Sequence, residues 1–403
     1  MTRPAAWMFD DRVADAFYPF ALTRPCGEIL YGAHTPRARL ELACGVQVAG
    51  HVTRPWLASF VEPGAPPVVG LADIPPAAPR ILWCSRAVPE AAELPATRAN
   101  LWVEGALAGV VLDAGEATPD AAWIAEPAPL PGSPDIELPG EWLEAPWDLV
   151  GRGPTRLARD LEAFVAGAAD ATPPGVHRLG EAPLVLGEGA SVEPGVLVDT
   201  RLAPVVLGPR VEVRAGARLE GPVFAGPDSR LLGGSISALA AGPRSYLRGE
   251  VEETIVFGYS NKAHDGFIGH AVLGRWVNLG AMTTNSDLKN NYGPVRVGPP
   301  DRVVDTGLTK LGCLVGDHVK TGIGVLLNTG TVIGAGSNIW GAELPPKWVE
   351  PFSWGQGAKL DEHRRDAFLS TAATVLGRRD IPAVDEAVAF LGDVWDRARG
   401  ESA

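Results

Sequence analysis

Between Asn261 and Gly293 the chain reads NKAHDGFIGHAVLGRWVNLGAMTTNSDLKNNYG, and residues able to do chemistry crowd into it. His264 offers an imidazole, whose ordinary pKa near ~6.5 suits a general base at neutral pH. The polar run Asn285 to Gly293 carries three Asn together with Lys289 and Tyr292, groups equipped for hydroxyl and phosphate ligands. The plain alternatives are that His264 caps a turn beside Asp265 and that the polar run is a solvated loop. His270 and His318 fall at turn positions, where a solvated or stacked imidazole is usual, and Asp317 with His318 reads first as a turn pair.

The elements that position these groups show in the spacing of apolar residues. Leu186, Val192 and Val198 recur every six positions, as do Leu207, Val213 and Leu219, then Phe267, Leu273 and Leu279. Val315, Thr321, Leu327, Ile333 and Ile339 hold the same register over five consecutive units. Neither the helical nor the strand period divides six, whereas a parallel β-helix uses one hexapeptide per short strand and turn. Such a solenoid buries its face only by stacking coils. At about eighteen residues per coil, roughly nine coils are expected between 178 and 345. The register lapses between Thr284 and Leu311, so the polar run must leave the coil as a surface excursion, the usual place for a binding face.

At 403 residues the chain exceeds the ~250–300 at which single cores stop growing, so several parts are expected. Residues 1–153 read as an α/β domain with strand-like runs AAWMF, RILWCS, NLWVEGALAGVVL and AAWIAE and a helical segment at 37–44. Residues 154–177 read as a linker helix, 178–345 as the β-helix, and 346–403 as a helical tail whose apolar stripes pack on the coil or a partner chain. A net charge of -13 disfavours nucleic acid and membrane surfaces, both of which attract cations. No leader or spanning run is seen, so a cytoplasmic protein is expected. Cys26, Cys44, Cys84 and Cys313 are scattered without C-x-x-C pairs and read as buried thiols.

The stretch from Asn261 to Asn285 resembles the bacterial bifunctional enzymes that acetylate glucosamine-1-phosphate and uridylylate the product, in which a K-A-G-H segment leads to N-I-G-A-G-T and then a C-N-Y-D-G loop. The resemblance implies a left-handed parallel β-helix, acetyl-CoA as co-substrate and a homotrimer. It places His264 on the catalytic histidine, Phe267 on a sugar-stacking position, Asn278 and Ala281 on acceptor-side and CoA-side positions, and Asn291 and Tyr292 near the sugar phosphate. A base is needed because the attacking sugar amine is an ammonium at neutral pH and must lose a proton before attacking a thioester. Where these enzymes hold the phosphate with paired lysines, this chain has Glu252 and Glu253. Arg248, Lys262 or Lys289 would have to supply the cation instead.

FDDRVADAFYPFALTRP, from Phe9, resembles a divergent bacterial branch of sugar nucleotidyltransferases, and the implied N-terminal domain is a shortened version. The Gly-rich phosphate loop is missing, with Ala16 at the loop Arg position and Cys26 at the Lys position. Arg12 and Arg24 remain for phosphate contacts, and Asp10 or Asp11 for Mg2+, with an ion pair or turn cap as the alternative for Arg24 and Asp10. The expected function is acetyl transfer to an amino-sugar phosphate, with nucleotidyl transfer to a sugar-1-phosphate in the first domain as an addition. The rivals are a nucleotidyltransferase using the β-helix as an oligomerisation scaffold, and a non-catalytic subunit that senses nucleotide sugars.

Overall fold

In the computed structural model, which describes residues 4–379, 381, 382 and 384–400, the chain divides into two compact units. One comprises the chain up to Ile29, His34–Ala145 and everything from Leu369 onward. The other comprises Leu30–Ala33 and Pro146–Phe368.

The first unit is an α/β fold on a six-stranded sheet ordered 48–52, 5–9, 80–84, 106–112, 99–103, 135–138. Strand Ala5–Phe9 pairs parallel with both Val48–Val52 and Arg80–Cys84, while Ala106–Leu112 runs antiparallel to its neighbours. These central strands are near-continuous apolar runs because both faces are covered. The expected helix appears as Pro36–Cys44, started by Thr35, whose hydroxyl accepts from the Ala38 amide. The run AAWIAE is a short helix, Ala121–Ala125, not a strand, because Asp120 caps it by accepting from the Trp123 amide. Of the tail, helix Val384–Arg399 belongs to this unit. Phe390 meets Phe60 edge-on at 5.6 Å, and the Arg397 guanidinium lies 4.7 Å from the Trp56 ring.

The second unit is a parallel β-helix. One ladder stacks nine strands, from Leu184–Leu186 through Val272–Leu273 to Trp348–Val349. Its inward residues repeat coil upon coil as Leu207, Ala225, Ala241, Val256, Leu273, Val315 and Ile333, each within a few per cent of full burial. Helix Gly153–Val165 is more than a linker. It lies on the outer side of this ladder, with Phe164 5.3 Å from Phe224. The register slips once against the hexapeptide reading: Ile268, not Phe267, points inward, stacked on Val251, and Phe267 stays half-exposed.

The polar excursion folds back as a hairpin, with Arg296–Val297 antiparallel to Val304–Asp305 and Leu288 bridging Lys310. Asn285, at its start, sits in the inward column between Ile268 and Leu327, only 1% exposed. Its side-chain amide pairs with Gly269, accepting from the amide and donating to the carbonyl at 3.0 Å each. A side chain thus closes the gap where a strand-to-strand pairing lapses. All four cysteines are buried free thiols.

Candidate functional site

His264 occupies a corner of the β-helix. Asn261 pairs with Asn278 and Asn278 with Lys320, so three residues further along His264, Ala281 and Ile323 hold equivalent places on successive coils. Backbone bonds from Met282 N to Asp265 O (2.9 Å) and from Gly324 N to Ala281 O (2.8 Å) fix that alignment. Gly266, with φ +126°, makes the turn. The His264 side chain is exposed and forms no hydrogen bond or ion pair among the described residues. Its ring is therefore open to a ligand, not committed to capping the turn.

Beneath it lies Lys262, in the inward column between Leu247 and Leu279, where the pattern asks for an apolar residue, and only 3% exposed. The ammonium donates to the carbonyl of His264 at 2.6 Å and to that of Arg248 at 2.8 Å. Burial lowers its pKa to about 8, against the opposing pull of Asp265. Lys262 is thus a pedestal for the His264 turn and not the free cation for a phosphate. Arg248 is also engaged, with Asp265 at 3.1 Å and the Leu232 carbonyl at 3.0 Å. Asn278 is exposed beside this corner, its Oδ1 accepting from Asn261 Nδ2 at 2.8 Å. Phe267 follows the corner, its ring lying across Gly269 where a side chain would collide with it.

The excursion leaves from the other edge of the face that begins at Phe267. Three strand residues at ~3.3 Å each put its root roughly 10 Å from the His264 corner. Lys289 Nζ donates to the Pro294 carbonyl at 3.0 Å and Asn291 Oδ1 accepts from the Gly293 amide at 3.1 Å, so both serve the loop itself. Tyr292 is 73% exposed. The structure therefore gathers His264, Ala281 and Asn278 on neighbouring coils, while Lys289, Asn291 and Tyr292 form a separate group. His270 departs from the reading as a solvated turn residue. It keeps the turn conformation, with φ +48°, but is buried among carboxylates, with Nε2 3.2 Å from Glu253 and Nδ1 2.8 Å from Asp287.

In the first unit a cleft of about 590 Å³ opens at the carboxyl ends of strands 5–9 and 48–52, lined by Asp10, Asp11, Arg12, Asp15, Thr53 and Arg54 among others. The chain leaves the first strand for a neighbour on one side and then crosses to 80–84 on the other, which is where open α/β sheets hold ligands. Arg12 is exposed at its rim, paired with Glu126. Arg24 does not line the cleft. It is 2% exposed and paired with Glu62 at 2.7 Å, a structural role.

The two aspartates do not fit a magnesium ion in this arrangement. Asp10 accepts from the Cys26 amide and the Thr53 hydroxyl and is ion-paired with Arg54 at 3.1 Å, while Asp11 accepts bidentately from Arg86 and caps the turn at Ala14. A cation would have to displace two buried guanidinium contacts. Arg54 was not singled out by the sequence, because only the fold brings it beneath Asp10.

Residues 6–169 match the family model described as "Sugar nucleotidyl transferase". A "Bifunctional sugar-1-phosphate nucleotidylyltransferase/acetyltransferase" of Sulfurisphaera tokodaii is 33% identical over 113 residues, 25% of this chain and 28% of the relative. A "Bifunctional protein GlmU" of Methanocaldococcus jannaschii is 33% identical over 91 residues, 23% and 22% of the respective chains. The chain thus spans about a quarter of the length of these curated relatives, both of them archaeal, whereas the sequence resemblance pointed to a bacterial branch. Among solved structures, an Arabidopsis UDP-N-acetylglucosamine acyltransferase aligns with 55% of this chain and 93% of its own at 13% identity, with a TM-score of 0.23. Among the described residues no helix is long and apolar enough to cross a membrane.

Proposed function

We propose that the protein is a sugar-nucleotide pathway transferase whose β-helix moves an acetyl group from acetyl-CoA to the amine of an amino-sugar phosphate. The observation that carries this reading is the exposed, uncommitted imidazole of His264, held out from a corner whose carbonyl is pinned by the buried Lys262 ammonium. In the reaction, His264 removes a proton from the sugar ammonium and the freed amine attacks the thioester carbonyl. Collapse of the tetrahedral adduct expels the CoA thiolate, which takes up a proton. Asn278, beside the corner on the next coil, orients the acceptor, and Ala281, on that same coil, borders the acyl donor. Holding amine and thioester together supplies much of the remaining acceleration.

The test follows thiol release from acetyl-CoA with a panel of amino-sugar phosphates. Turnover with at least one is expected, falling at least ~100-fold in His264→Ala. Unchanged turnover in that variant would remove the proposal.

A second reading rests on a different observation, the cleft of about 590 Å³ within the segment that matches the nucleotidyltransferase model. There Arg12 would meet a nucleotide phosphate, and with Asp10 and Asp11 already committed the cleft favours binding a nucleotide sugar over making one. Calorimetry with UDP-sugars, alongside a pyrophosphate-release assay, separates a binding cleft from a catalytic one. Weakened binding in Arg12→Ala locates the ligand there.

A further inference from the structure

The face of the β-helix at the root of the excursion gathers an uncommon set of side chains. Glu252 and Glu253 lie in the middle of strand Glu250–Val256 on one coil, where Glu253 bends the chain with φ +42°, and His270 lies on the next, its amide donating to the Glu252 carbonyl at 2.9 Å. Asp287 stands at the start of the excursion and Lys310 at its end. One ligand atom each from Glu252, Glu253 and His270 fall within 4.8 Å of one another. His270 Nε2 is 3.2 Å from the Glu253 carboxylate, and Lys310 is 3.8 Å from Glu252.

Three carboxylates thus face one ammonium, an excess of negative charge around a buried imidazole. Independently of that charge, the His270 side chain is only 6% exposed. Its Nδ1 lies 2.8 Å from Asp287 Oδ2 yet makes no hydrogen bond, the oxygen approaching outside the donor's cone. The ring is therefore buried without a settled protonic partner on that nitrogen, and its opposite edge is aimed at two carboxylates.

We propose that Glu252, Glu253 and His270 form a site for a divalent first-row metal ion. Nε2 of His270 and one oxygen from each glutamate supply three ligands, and Asp287 orients the ring from behind. A mixed imidazole and carboxylate donor set suits zinc or manganese better than magnesium or calcium, which take oxygen ligands. A small turn of the ring on binding would let Nδ1–H donate to Asp287, the usual outer-shell arrangement behind a ligating histidine. Donors around a zinc ion at ~2.0–2.2 Å lie about 3.4 Å apart. The His270–Glu253 separation already meets that value, and Glu252, half-exposed, needs only a rotamer adjustment.

The ligands come from consecutive coils, and the backbone carbonyl of Asp287 accepts from the Leu311 amide at 2.9 Å, tying the two ends of the excursion together. The ion would therefore fix the root of the excursion to the coil. Lys310 is the internal cation that partly takes its place when no ion is bound.

The experiment titrates zinc into full-length protein stripped with chelator, by competition calorimetry, and follows proteolytic cleavage within 288–310. One equivalent per chain and slower cleavage with zinc are expected. His270→Asn should abolish tight binding, Glu253→Gln should weaken it strongly, and Asp287→Ala should weaken it ~10–100-fold. Lys310→Met should tighten it. Circular dichroism identifies any variant that fails to fold, and Glu253→Gln, altering a half-exposed side chain, serves where His270→Asn does not. Absence of zinc and manganese binding by the wild type overturns the site, as does binding that survives both His270→Asn and Glu253→Gln. An ion-pair network alone would show lower stability in Lys310→Met with no gain in zinc affinity, and that result also overturns the proposal.

Discussion

At the scale of single residues, Lys262 carries the sharpest expectation. A lysine in a column of Val and Leu is disfavoured unless its ammonium is satisfied, and here two carbonyls, of Arg248 and His264, satisfy it. The folded-state pKa of about 8 lies below the ordinary 10.5, so between those values the unfolded chain binds the proton that the folded chain has lost. Stability therefore rises as pH climbs from about 8 towards 10.5 and is flat with respect to this group on either side. Lys262→Met should abolish that rise, seen as the slope of the urea midpoint against pH, while the fold persists because the position is otherwise apolar. If Lys262 positions His264, the variant should also lose kcat for acetyl transfer by up to ~100-fold with KM little changed. An unaltered pH slope would show that another group titrates there. The sequence singled out His264 by its type and neighbours, and the structure adds that it is exposed, whereas Lys262 read as one of three candidate phosphate cations and is buried. Its burial depends on coil register, which spacing around a slipped Phe267–Ile268 pair could not deliver.

At the scale of elements, the six-residue beat made the solenoid readable because one apolar side chain per unit is what a stacked coil demands. It failed where something other than an apolar side chain does the stacking. Asn285 continues the column between Ile268 and Leu327 by imitating a backbone, pairing both polar groups of Gly269. A leucine there would suit the pattern by size and hydropathy yet leave a buried amide and carbonyl unpaired. At ~1–3 kcal/mol for each of the two unsatisfied groups, Asn285→Leu should destabilise the protein by about 2–6 kcal/mol. Asn285→Asp, which retains an acceptor for the Gly269 amide but no donor for its carbonyl, should also destabilise it. Chemical denaturation of the two variants checks this, and a leucine variant as stable as the wild type would show that the amide pairing contributes nothing. The same reasoning explains AAWIAE. Its apolar run suits a strand, but the Asp120 cap, a local hydrogen bond invisible to periodicity, starts a helix.

For the whole molecule, the exposed surface near His264 bears on how many chains make a working site. Met282, Ile323 and Leu326 are 55%, 79% and 49% exposed, and all lie on the coils that stack beside the His264 corner. Apolar side chains gathered this way on a chain of net charge -13 mark an association surface more readily than a solvent face. The root of the excursion that carries Lys289, Asn291 and Tyr292 lies roughly 10 Å from the His264 corner within one chain, so an excursion brought in by a neighbour would be one way to bring both groups to one acceptor. A cyclic trimer of parallel solenoids, the assembly that the sequence resemblance implies, would do this three times over with one repeated contact. Light scattering should give three chains per particle. Ile323→Glu, placing a charge at the most exposed of the three positions, should yield folded monomers with unchanged circular dichroism and no acetyl transfer. Mixing Tyr292→Ala protein, altered in the excursion but still able to associate, with His264→Ala protein distinguishes a shared site from a private one. Activity recovered in mixed trimers means that the excursion and the histidine come from different chains, whereas a fully active wild-type monomer would place the whole site on one.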